Sequence, residues 1–186
     1  MIAREKGWKK MRKITSLLLL ITVSVLLVSC GDKEKEAEDI IAYYNEEWIH
    51  INNFKKDQFD KMNPEFRKLE GKGDKKEASA YVKNEIIPII EEVITMLENV
   101  EVDNKQAKKM NKLQLKAEKF ALKTFDNIRK YYEGDYSERN LRFDNKKLDS
   151  LYSDVIDYQN KVFEKYNLTK SDRKIGNFTI IEESKE

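Results

Sequence analysis

Apolar residues return at helical spacing along most of this chain, in four long stretches separated by short polar breaks. Placed at 100° per residue, Ala37, Ile41, Tyr44, Trp48, Ile51, Phe59, Met62, Phe66 and Leu69 fall in one narrow arc, which predicts a first helix over about 36–70. Asn63-Pro64 interrupts it, so a kink or a break into two helices is expected there. Gly71-Lys72-Gly73 forms a turn, and Asp74 with Glu77 resembles the capping pair of a second helix over 74–100. Its apolar face carries Ala78, Val82, Ile86, Ile89, Ile90, Val93, Ile94, Leu97 and Val100, and Pro88 lies off that face, where a bend is expected rather than an end. Asn104 opens a third helix over 104–133 with Gly134 as its stop, and Ser137 opens a fourth over 137–167. In the fourth, Leu141, Leu148, Tyr152, Val155, Ile156, Val162, Phe163 and Tyr166 share one side. Short connections make neighbouring helices antiparallel, so the pattern predicts an all-α, up-down-up-down four-helix bundle over 37–167. Residues 168–186, with Phe178, Ile180 and Ile181 among charges, are expected to be a tail that orders on contact.

Composition agrees with one helical domain. The 186 residues are 38% charged and include two prolines, six glycines, one cysteine and one histidine, too few for a disulfide scaffold, a zinc cluster or a many-stranded barrel.

The first thirty residues carry a different signal. Basic residues ending in Arg12-Lys13 precede an apolar run from Ile14 to Val28, then Ser29, Cys30 and a charged stretch from Gly31. The run falls short of the ~20 apolar residues of a spanning helix and has the layout of a secretory signal, removed from the mature protein. Leu27-Val28-Ser29-Cys30 resembles the lipobox of bacterial lipoproteins. The resemblance implies that residues 1–29 are cleaved, that the Cys30 thiol receives a diacylglyceryl group, and that acyl chains such as palmitate anchor the protein to the extracytoplasmic face of the cell membrane. Residues 30–36 would then be the lipidated cysteine and a short tether. Met11 alone would supply an adequate n-region, so translation is expected to start there, with the codons of Glu5-Lys6-Gly7-Trp8 doubling as a ribosome-binding site.

Processing reverses the charge balance. The leader holds six basic residues and one acidic, leaving 30 basic and 33 acidic and a net charge of −3 in place of +2 for the whole chain. No general attraction to nucleic acid follows.

Catalytic patterns are absent from the sequence. With Cys30 lipidated no thiol nucleophile remains, no serine lies in a nucleophile-elbow pattern, and there is no glycine-rich phosphate loop. The chain is therefore expected not to be an enzyme and to need no cofactor. Glu47-Trp48-Ile49-His50 has the Glu-x-x-His spacing of di-iron bundles, but such sites need two motifs, and His50 falls on the polar side of its helix. No metal site is expected there.

Two surface features point to binding. Lys105, Lys108, Lys109, Lys112, Lys116, Lys119, Lys123 and Lys130 fall within a ~100° arc of the third helix, opposite its apolar seam. Over 104–133 nine basic residues face three acidic ones, a local net of +6. Such a stripe would attract an anionic polymer, such as the teichoic acids of a Gram-positive wall, with affinity falling as salt rises; the competing expectation is a solvated face partly neutralised by Glu91, Glu92, Glu98 and Glu101. Tyr43, Tyr44, Trp48, Tyr131, Tyr132 and Tyr136 offer a second lead, since clustered aromatic rings stack on sugars, although most coincide with the inward arcs.

In its lipobox, charged tether and helical mature part the chain is similar to small cell-wall-binding lipoproteins of Gram-positive bacteria. The expectation is a membrane-anchored binding module at the cell envelope, with a protein-partner or chaperone-like accessory and a metal-binding bundle as alternatives.

Overall fold

The structure, a computed structural model, describes residues 32–184. Cys30, Met11 and the leader lie outside the described residues. The backbone over 32–38 is helical, including residues 32–36 of the expected tether. The compact unit that follows, Asp39–Glu186, is treated below.

The first rod runs over 39–72 and includes a π-helical stretch, Tyr43–Trp48, followed by α1, Ile49–Lys72. The second comprises α2, Lys75–Tyr81, a π-helical stretch Val82–Ile86, and α3, Ile87–Asn99. α4, Lys105–Glu133, and α5, Glu138–Lys165, complete a mostly helical unit of four rods. A small antiparallel sheet of β1, Leu168–Ile175, and β2, Phe178–Glu183, replaces the expected tail and makes the unit other than all-α.

Local chemistry sets the ends. Gly73 and Gly134 adopt φ of +69° and +92° as left-handed C-caps. Asp74 accepts the Glu77 N–H at 3.0 Å, Asn104 accepts from Gln106 and Ala107, and Ser137 accepts from Asn140. Pro64 does not break its helix, because its missing N–H frees only the carbonyl of Asp60, on an exposed surface where water can serve it. Pro88 follows the second π stretch, where the Ile87 N–H reaches back five residues to the Val82 carbonyl. The wider turn relieves the ring of Pro88 and carries the rod onward.

The core runs between the rods. Val82, Ile86, Ile90, Ile94 and Ala121 pack with Phe59, Phe66 and Phe125, while Ile51, Val93 and Leu97 form a second cluster and Ala117, Leu151 and Val155 a third. Ile156, expected inward, is 55% exposed. The α5 seam follows Leu151, Val155, Gln159 and Val162, and Ile156 stands one residue, about 100°, off that line.

The hairpin docks onto the first rod through two asparagines. The Asn45 side chain donates to the Ile181 carbonyl and accepts the Ile181 N–H, both at 2.9 Å. Asn53 donates to the Ile175 carbonyl and accepts the Asn177 N–H, both at 2.8 Å. Each amide thus does for a strand edge what a neighbouring strand would do. The spacing matches: eight helical residues rise about 12 Å, and the four strand residues from Asn177 to Ile181 span about 13 Å. Between the Lys170–Ile181 and Lys174–Thr179 pairs, β1 carries two more residues than β2, and the resulting irregularity curves the sheet.

Candidate functional site

The π stretch sets the first wall of a cavity. Tyr44 and Trp48, four residues apart on one helix face, stack their rings at 4.7 Å with 10° between planes. Phe163 of α5 meets Tyr44 edge-on at 5.1 Å, and Phe178 of β2 meets Trp48 edge-on at 5.3 Å. Together with Gln114 of α4 and Gln159 of α5 these rings enclose a cavity of about 510 Å³ between the first rod, α4, α5 and the hairpin. Ile156, Asn160, Lys170 and Asn177 stand at its exposed rim.

Most buried polar groups of the unit are satisfied. Thr124 donates to the Phe120 carbonyl, and Asn127 donates to Asp144, which also receives the Tyr136 hydroxyl. Among the described residues three buried side-chain atoms have no hydrogen-bond partner: Trp48 Nε1, Gln114 Oε1 and Gln159 Nε2. All three belong to residues lining this cavity. Gln114 and Gln159 are only 2% and 5% exposed, so bulk water does not compensate them. The Gln114 amide donates to Asn52 Oδ1 at 3.1 Å, which fixes its carbonyl as the unpaired end.

A buried ion pair stiffens the wall behind Tyr152. Glu118, fully buried, accepts from Lys55 Nζ at 2.7 and 2.8 Å and from the Tyr152 hydroxyl at 3.1 Å. Lys55 also donates to that hydroxyl at 2.7 Å. Burial, followed by the Glu118 charge, pushes the Tyr152 phenol well above its ordinary range, and burial pushes Tyr44 up to about 12. Both phenols are therefore neutral at physiological pH, and among the described residues the cavity lining holds no carboxylate and one cation, Lys170.

The lysine stripe is present but uneven. Lys119 pairs with Glu98 at 2.6 Å and Lys130 with Asp126 at 2.6 Å. Lys109 lies 4.4 Å from the centre of the Tyr158 ring, and Lys123 lies 5.8 Å from that of Phe120. Lys105, Lys108, Lys112 and Lys116 are exposed and make no ion pair among the described residues. Of the four glutamates expected to neutralise the stripe, Glu98 alone pairs with it.

The aromatic set divides. Tyr44 and Trp48 line the cavity, Tyr43 donates to Asn111 in the core, Tyr131 and Tyr132 pack together beside Phe66, and Tyr136 donates to Asp144. Glu47 and His50 are both exposed, and no three His, Cys, Asp or Glu side chains come together in metal-binding geometry among the described residues. Gln114, Gln159, Asn45, Asn53 and the Lys55–Glu118 pair belong to no motif in the sequence. The available signal was Gln114 and Glu118 standing on the apolar seam of the third helix beside Met110, Ala117 and Ala121. Among the described residues no helix is long and apolar enough to cross a membrane. No family model, curated protein or solved structure matches the chain.

Proposed function

We propose that the protein is a non-enzymatic binding module, anchored through lipid on Cys30 at the extracytoplasmic face of the cell membrane, which holds a small ligand in the cavity beside Trp48. The reading takes the four rods as an up-down-up-down bundle with the hairpin as a fourth cavity wall. One observation carries it: among the described residues the three buried side-chain atoms left without partners all belong to residues of one cavity. An unsatisfied buried group costs about 1–3 kcal/mol, and a ligand toward which that side chain turns as the cavity fills removes that cost. The cavity size lies in the ordinary range for small-molecule sites, about 300–1,000 Å³.

A second reading rests on Lys105, Lys108, Lys112 and Lys116, which make no ion pair among the described residues; Lys105 and Lys108 also stand at the positive end of the α4 dipole. They favour contact with an anionic wall polymer or an acidic face of another envelope protein.

One experiment separates the two. In ¹H–¹⁵N spectra of the full chain in micelles, a set of neutral small fragments is expected to move the Trp48 indole and Gln159 amide resonances. Purified teichoic acid is expected to move backbone resonances near the four lysines, losing its effect at high salt and in a variant with all four changed to Glu. Fragment hits scattered over the surface, with none at the cavity, would overturn the first reading.

A further inference from the structure

We infer that the ligand of this cavity is a neutral saccharide of one or two rings; the inference rests on the cavity being a ligand site. Charge is the first constraint. Among the described residues the lining contains no carboxylate, its Tyr44 phenol is neutral, and the nearby Glu118 is already paired with Lys55. An ionised ligand would leave water without an opposite charge to meet it, apart from Lys170 at the rim.

Hydrogen-bond polarity is the second constraint. Trp48 Nε1 and Gln159 Nε2 donate, whereas Gln114 Oε1 accepts. A ligand with acceptors alone leaves Gln114 unpaired, and a ligand with donors alone leaves the other two. Hydroxyl groups do both, and the side-chain amides of Asn52, Asn160 and Asn177 add further donors and acceptors around them.

Ring geometry separates a sugar from a planar base. Tyr44 and Trp48 stack on each other, and Phe163 and Phe178 stand at 87° and 81° to their ring neighbours. No pair of parallel rings is spaced to sandwich a flat heterocycle. Edges and faces meeting at right angles instead suit a puckered ring, with its C–H face against an aromatic surface and its hydroxyl rim toward the amides.

The chain carries its own reporter. Its two tryptophans are Trp8 and Trp48, so a full-length Trp8→Phe variant emits from Trp48 alone. In dodecylphosphocholine micelles, which contain no sugar, the fluorescence of this variant is titrated with methyl β-glucoside, N-acetylglucosamine, maltose, glucuronate and adenosine. A saturable response to at least one neutral sugar is expected, with glucuronate at least tenfold weaker. Gln114→Leu and Gln159→Leu are each expected to weaken that binding at least tenfold while circular dichroism stays unchanged. A response to adenosine or glucuronate without any to the neutral sugars would overturn the saccharide and leave the site standing. Silence toward every probe, together with no cavity response to neutral fragments, would overturn both.

Discussion

Replacing Lys55 with methionine is expected to lower the stability of the domain by about 3 kcal/mol, because breaking one side of a buried ion pair leaves the other charge uncompensated. Glu118 bears that loss in full. Its side chain has no solvent access, both oxygens are held by Lys55 Nζ, and the Tyr152 hydroxyl alone would remain as a donor. Methionine keeps the length of the lysine stem, so the packing beside the Tyr152 ring, where Nζ lies 4.6 Å from the centroid, is largely retained. The change therefore isolates charge from volume. In urea unfolding the midpoint should fall, and the melting temperature should drop by roughly 6–12 °C for a domain of this size. Adding Glu118→Leu to the same chain should recover most of the loss, since an apolar pair of similar volume avoids the desolvation of both ions. A Lys55→Met variant that melts with the parent would mean that the pair contributes nothing to the wall behind the cavity.

The second large effect is expected at the hairpin turn. Gly176 has a φ of +59°, and a Cβ there would lie 2.5–2.6 Å from the Asn53 side chain. Positive φ at only the first of the two turn residues belongs to a type II′ turn, which favours glycine at that position. Alanine would meet both the strained backbone and the amide that bonds Ile175 and Asn177. Relief requires Asn53 to swing away, giving up two hydrogen bonds, so Gly176→Ala should destabilise the docked hairpin by about 2 kcal/mol. The loss is local. Hydrogen exchange of the β2 amides should quicken roughly 30-fold while that of α3 and α4 is unchanged. Because Phe178 and Thr179 line the cavity, ligand binding should weaken in the same variant. Equal quickening throughout the unit would show instead that the hairpin and the rods open together.

The rods were legible in the sequence because an amphipathic helix repeats its signal every three to four residues. The caps were legible for a related reason: Asp74, Asn104, Ser137 and Gly134 act on backbone groups within three or four residues of themselves. The hairpin was not. Its strands are charged along much of β1, and β2 is held to the first rod by Asn45 and Asn53, whose partners lie 120 or more residues away in the chain. Periodicity is blind to such contacts. The cavity was half visible, since Tyr44 and Trp48 stood out as aromatics four residues apart on one helix face, yet the α5 and hairpin residues that close it come from distant parts of the chain. Gln114 and Glu118 were hidden by their own seam, where polar residues among alanines read as interruptions of a core rather than as parts of a site.

If the cavity is a ligand site, Gln159 is kept polar for a ligand and at a cost to the fold. The most direct test needs no ligand: thermal melting of the full-length Gln159→Leu variant beside the parent. Leucine fills a similar volume and removes the buried, unpaired Nε2 atom, so the variant should be more stable by about 1 kcal/mol, raising the melting temperature by roughly 2–4 °C. A melting temperature lowered by the same margin would contradict the account, because Gln159 would then be supporting the fold rather than waiting for a partner.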